Sequence, residues 1–187
     1  LNNAFELTIG NEQTVRGAGP IGINQLRLIN DGAIIAETSP GFTIDPSDSG
    51  IGFVNNGLLH AQGAGIVLSP GPVTNSGTVR IDPTRTITRT GTAYVQQAGV
   101  TEVNGTLASA PGTTINGGVL RGTGQITGSV VNAGGTVSPG TSAGTLSITG
   151  NYTQQTNGAL SIEIGGASPR DPEGRPLTRA GHPWGAR

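Results

Sequence analysis

Apolar and polar residues alternate in short runs along this chain, and the runs return within a recurring phrase. The phrase consists of an aliphatic residue, Asn, a variable residue, Gly and a further alternating run, and its three copies contain Asn30, Asn55 and Asn75. The glycines of the three copies are Gly32, Gly57 and Gly77. Alternation with a period of two is typical of β-strands, and repetition at such a long and similar interval indicates stacked supersecondary units.

We therefore predict an all-β protein with one β-solenoid domain over residues 1–166, a right-handed parallel β-helix that forms a single-stranded rod. With roughly 20 residues in each coil and about 4.8 Å between coils, the rod would hold about eight coils and be about 40 Å long. Between residues 91 and 135, Gly91, Gly105 and Gly118 follow one another more closely than the glycines of the phrase. This spacing predicts shorter coils there, and hairpins with tight turns stay an alternative.

The recurring Asn has a specific physical interpretation. Asn and Gly adopt left-handed backbone torsions with little strain, so both fit the bends between strands. In stacked coils, each Asn side chain can also hydrogen-bond to the Asn above and below it, which forms a ladder. The alternative is that Asn-Gly is common in any turn, but a shared frame in three consecutive segments favours stacking.

The amino-acid composition excludes some classes of binding partner and some kinds of stabilising bond. The 187 residues include 33 Gly, 12 Pro and no Cys, and the net charge is −1. A net charge this small gives no basis for binding nucleic acid, and the absence of Cys removes disulfides and thiolate metal sites. Apolar runs are far shorter than the roughly 20 residues of a membrane-spanning helix. The chain also lacks Met, and we interpret it as a processed product or a fragment.

The character of the chain changes after residue 166. Residues 167–187 contain four of the ten arginines and the single Trp, without any alternation. We predict that this segment is an irregular, disordered tail or linker that does not join the solenoid.

One segment resembles a known family. Gly122-Thr123-Gly124-Gln125-Ile126-Thr127-Gly128 is followed by Ser138-Pro139-Gly140-Thr141-Ser142-Ala143-Gly144-Thr145-Leu146 and then by Gly158-Ala159-Leu160-Ser161-Ile162-Glu163-Ile164-Gly165-Gly166. In this succession the segment from Val119 to Gly166 resembles the C-terminal end of a bacterial autotransporter passenger, and it is similar to related surface β-helix repeat proteins.

The resemblance implies a parallel β-helix in a secreted protein or at the bacterial cell surface, on the outer membrane. Its partners would be a host surface, a glycan or further copies of the protein. The sequence departs from a complete autotransporter because no translocator barrel follows Gly166. Contact with the membrane would therefore come only through a C-terminal barrel that this sequence does not contain.

Candidate catalytic residues are few. His60 and His182 are the two histidines, and neither lies in a recognisable Ser-His-Asp arrangement, so we predict no catalytic residues, no metal site and no cofactor. Asp45, Asp48 and Asp82 are weak candidates for an acid pair acting on polysaccharides, since two carboxylates serve as general acid and base in glycosidases. The favoured alternative is ordinary turn chemistry, in which Asp side chains bond to nearby backbone.

A threonine-rich run gives a third candidate. From Thr84 to Thr92, five Thr occupy alternate positions, among them Thr86, Thr88 and Thr90, while Arg85, Ile87 and Arg89 fall between them. A regular Thr array can bind ice or a glycan, but only if Thr columns repeat on neighbouring coils. We favour a solvent-facing strand edge or an insertion between coils.

These observations lead to one expected function and one alternative. We expect a structural or adhesive stalk, or a passenger segment of a secreted or surface-displayed bacterial protein, with no catalytic activity of its own. The alternative is a carbohydrate-active or glycan-binding β-helix that uses acids on one face; if it is an enzyme, it would be a polysaccharide lyase or hydrolase.

Overall fold

The protein is a stack of short β-strands. The computed structural model describes residues 5–48, 50, 52–140 and 142–164. These residues form 23 β-strands and no helix. The strands assemble into three sheets, and each coil of the chain contributes one strand to every sheet in turn. The predicted tail, residues 167–187, lies outside the described residues.

Sheet A holds the first strand of each coil, namely β1 Phe5–Ile9, β4 Leu26–Asn30, β7 Phe53–Asn55, β10 Val73–Asn75, β13 Tyr94–Gln96, β16 Thr113–Ile115, β19 Val130–Asn132 and β22 Tyr152–Gln154. Sheet B holds the second, namely β2 Thr14–Gly17, β5 Ala33–Ala36, β8 Leu58–Ala61, β11 Thr78–Ile81, β14 Val100–Val103, β17 Val119–Gly122, β20 Thr136–Pro139 and β23 Ala159–Leu160. Sheet C holds the third, namely β3 Gly19–Ile21, β6 Phe42–Ile44, β9 Ile66–Leu68, β12 Thr86–Arg89, β15 Thr106–Ser109, β18 Gln125–Thr127 and β21 Ser147–Ile148.

Seven coils are complete, and an eighth contributes β22 and β23. All pairings between these named strands are parallel, so the described residues contain no hairpin between them. The predicted all-β solenoid is confirmed, and its architecture is that of a parallel β-helix.

The coils differ in length. Along sheet A, the longest interval between paired residues runs from Leu28 to Phe53, and the two shortest run from Tyr94 to Thr113 and from Thr113 to Val130. The region from 91 to 135 therefore does contain the shortest coils.

The close spacing of glycines in that region does not correspond to the length of a coil, however. Gly91, Gly105 and Gly118 lie in three different bends, namely β12 to β13, β14 to β15, and β16 to β17. Consecutive members of this series are therefore not equivalent positions of successive coils. Glycine alone does not distinguish one corner of a coil from another.

The core consists of inward columns of aliphatic side chains. In sheet A, Leu28 pairs with Phe53 and Phe53 with Val73, and all three are buried. Matching buried columns from sheets B and C complete the interior, among them Ile34, Leu59, Val79, Leu120, Val137, Phe42, Ile66, Ile87, Leu107 and Ile126. Burial of about 25 cal/mol for each Å² of apolar surface makes these columns the main favourable term in folding.

The predicted asparagine ladder forms inside the rod, beside the bend from sheet A to sheet B. Asn30 donates from Nδ2 to Oδ1 of Asn55 at 2.6 Å, and Asn55 donates from Nδ2 to Oδ1 of Asn75 at 2.7 Å. All three side chains are at most 1% exposed. The same column continues through Gln96, Ile115 and Asn132, so the ladder is amide-rich but is interrupted by an aliphatic residue.

The bend beside the ladder requires glycine for steric reasons. A Cβ on Gly57 would come within 2.7 Å of the carbonyl carbon of Asp31 in the preceding coil, and closer still to the oxygen of Gly32. Gly77 has the same relation to Asn56 and Gly57 one coil later. The repeated Gly is therefore a consequence of the close approach between successive bends.

One inward position in sheet C holds an arginine. Arg89 is 2% exposed and stands in the column that runs from Leu68 to Ser109. Its guanidinium donates to the carbonyl oxygens of Leu68, Ser69, Pro70 and Gly71 at 2.6–3.1 Å, to that of Thr90, and to the hydroxyl of Thr92 at 2.6 Å. Burial lowers the pKa of Arg89. The side chain thus fixes two successive bends between sheets C and A.

The ladder predicts a large difference between two neighbouring asparagines. Asn55→Ala should lower the free energy of unfolding by about 2–4 kcal/mol, because it leaves buried groups of Asn30 and Asn75 without partners. Asn56→Ala is the matched control, since the side chain of Asn56 is exposed and donates to Asp31, while its backbone hydrogen bond to Asn30 is kept in the variant. It should cost less than about 1 kcal/mol. Urea unfolding followed by circular dichroism measures both. Equal losses for the two variants would contradict the ladder.

Candidate functional site

The three aspartates proposed from the sequence lie in two different bends. Asp45 and Asp48 follow β6, in the bend from sheet C to sheet A, whereas Asp82 follows β11, in the bend from sheet B to sheet C. The structure therefore groups Asp45 with Asp48 and does not bring Asp82 into that group.

Asp48 is engaged by the preceding coil. Its backbone N–H donates to Oδ1 of Asn24 at 2.9 Å, and its Oδ2 accepts from Nδ2 of the same Asn24 at 3.3 Å. Asp45 contributes backbone bonds, donating to Ile21 and accepting from Asn24 at 2.8 and 2.9 Å. These contacts are bend chemistry of the kind given as the alternative, but they run between coils instead of within one turn.

Asp82 belongs to a charged cluster. Its Oδ1 lies 3.0 Å from Nε2 of His60 and 3.4 Å from Nε of Arg80. His60 and Arg80 are paired residues on the outer side of β8 and β11. Asp82 therefore lies in the bend after β11, and its partners come from the neighbouring strands β8 and β11 of sheet B.

The threonine run is divided between a strand and two bends. Thr86 and Thr88 point outward from β12, and Ile87 and Arg89 are buried on its inner side, as alternation predicts. Thr90 follows the strand and is exposed. The expectation of a strand edge or an insertion is wrong, because β12 is an integral strand of sheet C between β9 and β15.

No continuous Thr column passes through β12. Thr88 pairs with Val67 on one side and with Ala108 on the other. Thr86 pairs with Thr106, and Thr106 pairs with Gln125. Ice or glycan binding along this run would require Thr residues at equivalent positions of several coils. In β12 and its paired strands, such a match extends over two coils only, from Thr86 to Thr106.

The structure places a different set of charged residues in one outward column of sheet B. Arg80 pairs with Glu102, and Glu102 pairs with Arg121. Arg121 donates to Oε2 of Glu102 from Nη2 at 2.8 Å and from Nε at 3.3 Å, and Nη2 of Arg80 lies 3.9 Å from Oε1 of Glu102. Asn104 also donates to Glu102, at 2.9 Å. Opposite charges thus alternate along the stack.

Glu102 supplies the carboxylate of this column, and its side chain is only 14% exposed. Burial acts to raise the pKa of Glu102, but hydrogen bonds from Arg121 and Asn104 and the charges of Arg121 and Arg80 outweigh it. The pKa of Glu102 is therefore below its ordinary value. Glu102 is a permanent anion at neutral pH, which suits ion pairing and does not suit a general acid.

A concavity of about 450 Å³ opens beside this cluster. It is lined by Glu102, Arg121, Ser138, Gly140 and Glu163. Two carboxylates, a guanidinium that is 46% exposed and a hydroxyl therefore face the same space. Such a lining can donate and accept several hydrogen bonds to a polar ligand.

Among residues 5–48, 50, 52–140 and 142–164, no group of three or more His, Asp or Glu side chains is arranged to hold a metal ion. The same residues include no helix that is long and apolar enough to cross a membrane. Comparison of the chain with known protein families, with curated proteins and with solved structures finds no match.

The sequence contains a pattern that predicts the column of charged residues on sheet B. Arg80, Glu102, Arg121 and Ser138 follow one another at intervals of one coil each. Residues one coil apart stack in a column, so charges of opposite sign at this interval predict an ion-pair row. Glu163 joins the concavity from the segment after β23, and no interval identifies it.

The lowered pKa of Glu102 predicts a pH-dependent contribution to stability. A carboxylate whose pKa falls on folding stabilises the protein above its unfolded pKa, and this contribution disappears as the pH falls through the folded pKa. Glu102→Gln should therefore cost about 1–2 kcal/mol at neutral pH and progressively less below pH 4.5. Thermal unfolding between pH 2 and pH 8 measures this difference.

The control is Glu12→Gln, which removes the same kind of charge from an exposed turn. Its unfolding temperature should follow that of the unchanged protein at every pH. A gap between Glu102→Gln and the unchanged protein that stays constant down to pH 2 would contradict the role assigned to Glu102.

Proposed function

We propose that this chain is a structural and adhesive rod, a stalk or passenger segment of a secreted or surface-displayed bacterial protein. The observation that carries the proposal is the uninterrupted stacking of seven complete coils in parallel register. Stacked coils give a rod whose length grows with the number of repeats, and each coil needs only its neighbours for stability. Such a rod is suited to holding a binding surface away from its point of attachment.

The distribution of polar side chains supports a mechanical role. The ladder of Asn30, Asn55 and Asn75 joins one coil to the next, and so do the bonds from Arg121 to Glu102. These interactions use side-chain hydrogen bonds to stabilise the stack of coils. The resemblance of the segment from Val119 to Gly166 to autotransporter passengers adds the expectation of export to the cell surface.

Surface display can be tested on the cells that produce the protein. An antibody raised against the purified chain should label intact cells or the culture medium, and brief protease treatment of intact cells should remove the cell-bound signal. A cytoplasmic protein labelled in the same preparation serves as the control for lysis. Signal that emerges only after permeabilisation would contradict the proposal.

A second candidate function is glycan binding at the sheet B concavity, which Glu102, Arg121, Ser138 and Glu163 favour by their shared orientation toward one space. This candidate keeps the idea of acids on one face but assigns it to Glu102 and Glu163 in place of Asp45, Asp48 and Asp82. Because Glu102 has a lowered pKa, the site would bind a polar ligand without acting as its general acid.

Binding to a panel of neutral and acidic oligosaccharides tests this second candidate. Arg121→Met should weaken the binding of any oligosaccharide that the chain retains by about tenfold or more, as expected for losing hydrogen bonds from a charged group. Asp48→Asn is the control, because Asp48 lies in the bend from sheet C to sheet A and does not line the concavity, and it should leave affinity unchanged. Release of reducing sugar from pectin or alginate that Asp45→Asn abolishes would instead favour an enzyme acting through the aspartates.

A further inference from the structure

Several bends of the rod contain an Asn followed directly by a Gly. This pair has a reactivity of its own, because the backbone nitrogen that follows an Asn can attack the side-chain amide carbon of that Asn. Glycine favours the attack, since it has no side chain to hinder the approach and its backbone rotates freely. A Gly nitrogen that is held by a hydrogen bond must first break that bond. The chain contains four such pairs, namely Asn56-Gly57, Asn104-Gly105, Asn116-Gly117 and Asn157-Gly158.

The hydrogen bonds of the Gly nitrogens distinguish one pair from the other three. Gly57 and Gly105 donate to carbonyl oxygens of the preceding coil at 2.8 and 3.1 Å. Gly158 donates at 3.0 Å to the carbonyl oxygen of Gln155, within its own turn. The N–H of Gly117 has no hydrogen-bond partner among the residues that the structure describes. Of the four nitrogens, that of Gly117 is therefore the one that is free to react.

The length of the bend explains why the N–H of Gly117 is free. The bends from sheet A to sheet B contain two residues after β4, β7 and β10, but three residues after β13, β16 and β19. In the two-residue bends, the second N–H donates to the preceding coil at 2.8–3.0 Å. In the three-residue bends, this bond is 3.4 Å long for Ala98 and 3.1 Å for Gly134, and Gly117 makes no such bond within the described part of the chain. The additional residue thus draws the second N–H away from its acceptor.

The side chain of Asn116 is open to the attack. Asn116 is exposed, and its Nδ2 donates to Oε1 of Gln97 in the preceding bend at 3.1 Å. The Oδ1 of Asn116 accepts no hydrogen bond from the residues described, so one weak contact holds this amide. Glycine at position 117 is also required by the fold, because a Cβ there would lie 2.4 Å from the carbonyl oxygen of Gln97. The stacking of the bends thus retains the residue that makes the pair reactive.

We propose that Asn116 is a site of spontaneous covalent modification, at which the folded protein loses a side-chain amide. The backbone nitrogen of Gly117 forms a bond to Cγ of Asn116 and gives up its proton to solvent. The bond from Cγ to Nδ2 breaks, and Nδ2 takes up a proton and leaves as ammonia. Water then opens the resulting cyclic imide at either of its carbonyl carbons. The products are aspartate and isoaspartate, and no atom is oxidised or reduced.

The modification changes a contact between two coils. A carboxylate at position 116 cannot donate to Oε1 of Gln97, so two hydrogen-bond acceptors then face each other. Isoaspartate also adds a side-chain carbon to the backbone of the bend between β16 and β17. Both products loosen the stack at this bend while the strands on either side keep their backbone pairing. This inference depends neither on the adhesive role nor on glycan binding.

Peptide mapping by mass spectrometry measures the reaction at each Asn of the full chain separately. In a mildly alkaline buffer at physiological temperature, Asn116 should lose its amide at least about fivefold faster than Asn56 or Asn104, the factor that corresponds to one backbone hydrogen bond. Asn56 is the matched comparison, because it is also exposed, donates to the preceding bend and precedes Gly. Equal rates at the three positions, or an Asn116 that stays unmodified, would overturn the proposal.

Unfolding the chain separates the effect of the structure from that of the sequence. In concentrated urea, Gly57 and Gly105 lose their bonds to the preceding coil, so Asn56, Asn104 and Asn116 should react at similar rates. Asn116→Gln is the second control, since ring closure from the longer side chain is much slower, and it should remove the fast signal of the folded chain alone. An advantage of Asn116 that persists unchanged in urea would assign its reactivity to the local sequence and overturn the proposal.

Discussion

In-register stacking of parallel coils is the constraint on which the rest of this structure depends. Each strand bonds its backbone to the same strand of the next coil, so residues one coil apart are held about 4.8 Å from each other. The side chain at each position must therefore pack against the equivalent side chains of the preceding and the following coil. This condition explains why the interior consists of columns such as Leu28, Phe53 and Val73, and why the bends repeat Gly where a Cβ would meet the preceding coil.

The same constraint decides what happens to polar groups inside and outside the rod. An amide inside is stable because its neighbour in the stack supplies the partner, as between Asn30 and Asn55. Arg89 has no carboxylate among the partners described for it, and backbone carbonyls of two bends satisfy its guanidinium instead. Outside, charges of opposite sign such as Glu102 and Arg121 pair along sheet B. Contacts between coils thus satisfy polar side chains on both the inner and the outer side of the stack.

Much of the fold could be predicted from the sequence because stacking leaves a direct trace in it. The alternation of apolar and polar residues predicted the strands. The interval between Asn30, Asn55 and Asn75 predicted the length of a coil, since equivalent corners need equivalent residues. The spacing of glycines predicted the length of a coil less well, because glycine occurs in all three corners. Gly91, Gly105 and Gly118 lie in three different corners, so their spacing is shorter than a coil. The sequence analysis did not identify the charged column of sheet B, because residues one coil apart can be aligned only when the length of each coil is known. It did not identify Glu163 either, since this residue lies after the last named strand.

The stacked coils also carry the charged column and the polar concavity of sheet B, so the position of these side chains depends on the same register. Distances between spin labels on sheet C test the stacking most directly. Labels at Thr127 paired with Val67, Thr43 or Pro20 stand three, four and five coils apart along one column. Stacking predicts separations of about 14, 19 and 24 Å, one step of about 4.8 Å for each coil. Separations that do not increase by a constant step would contradict the account.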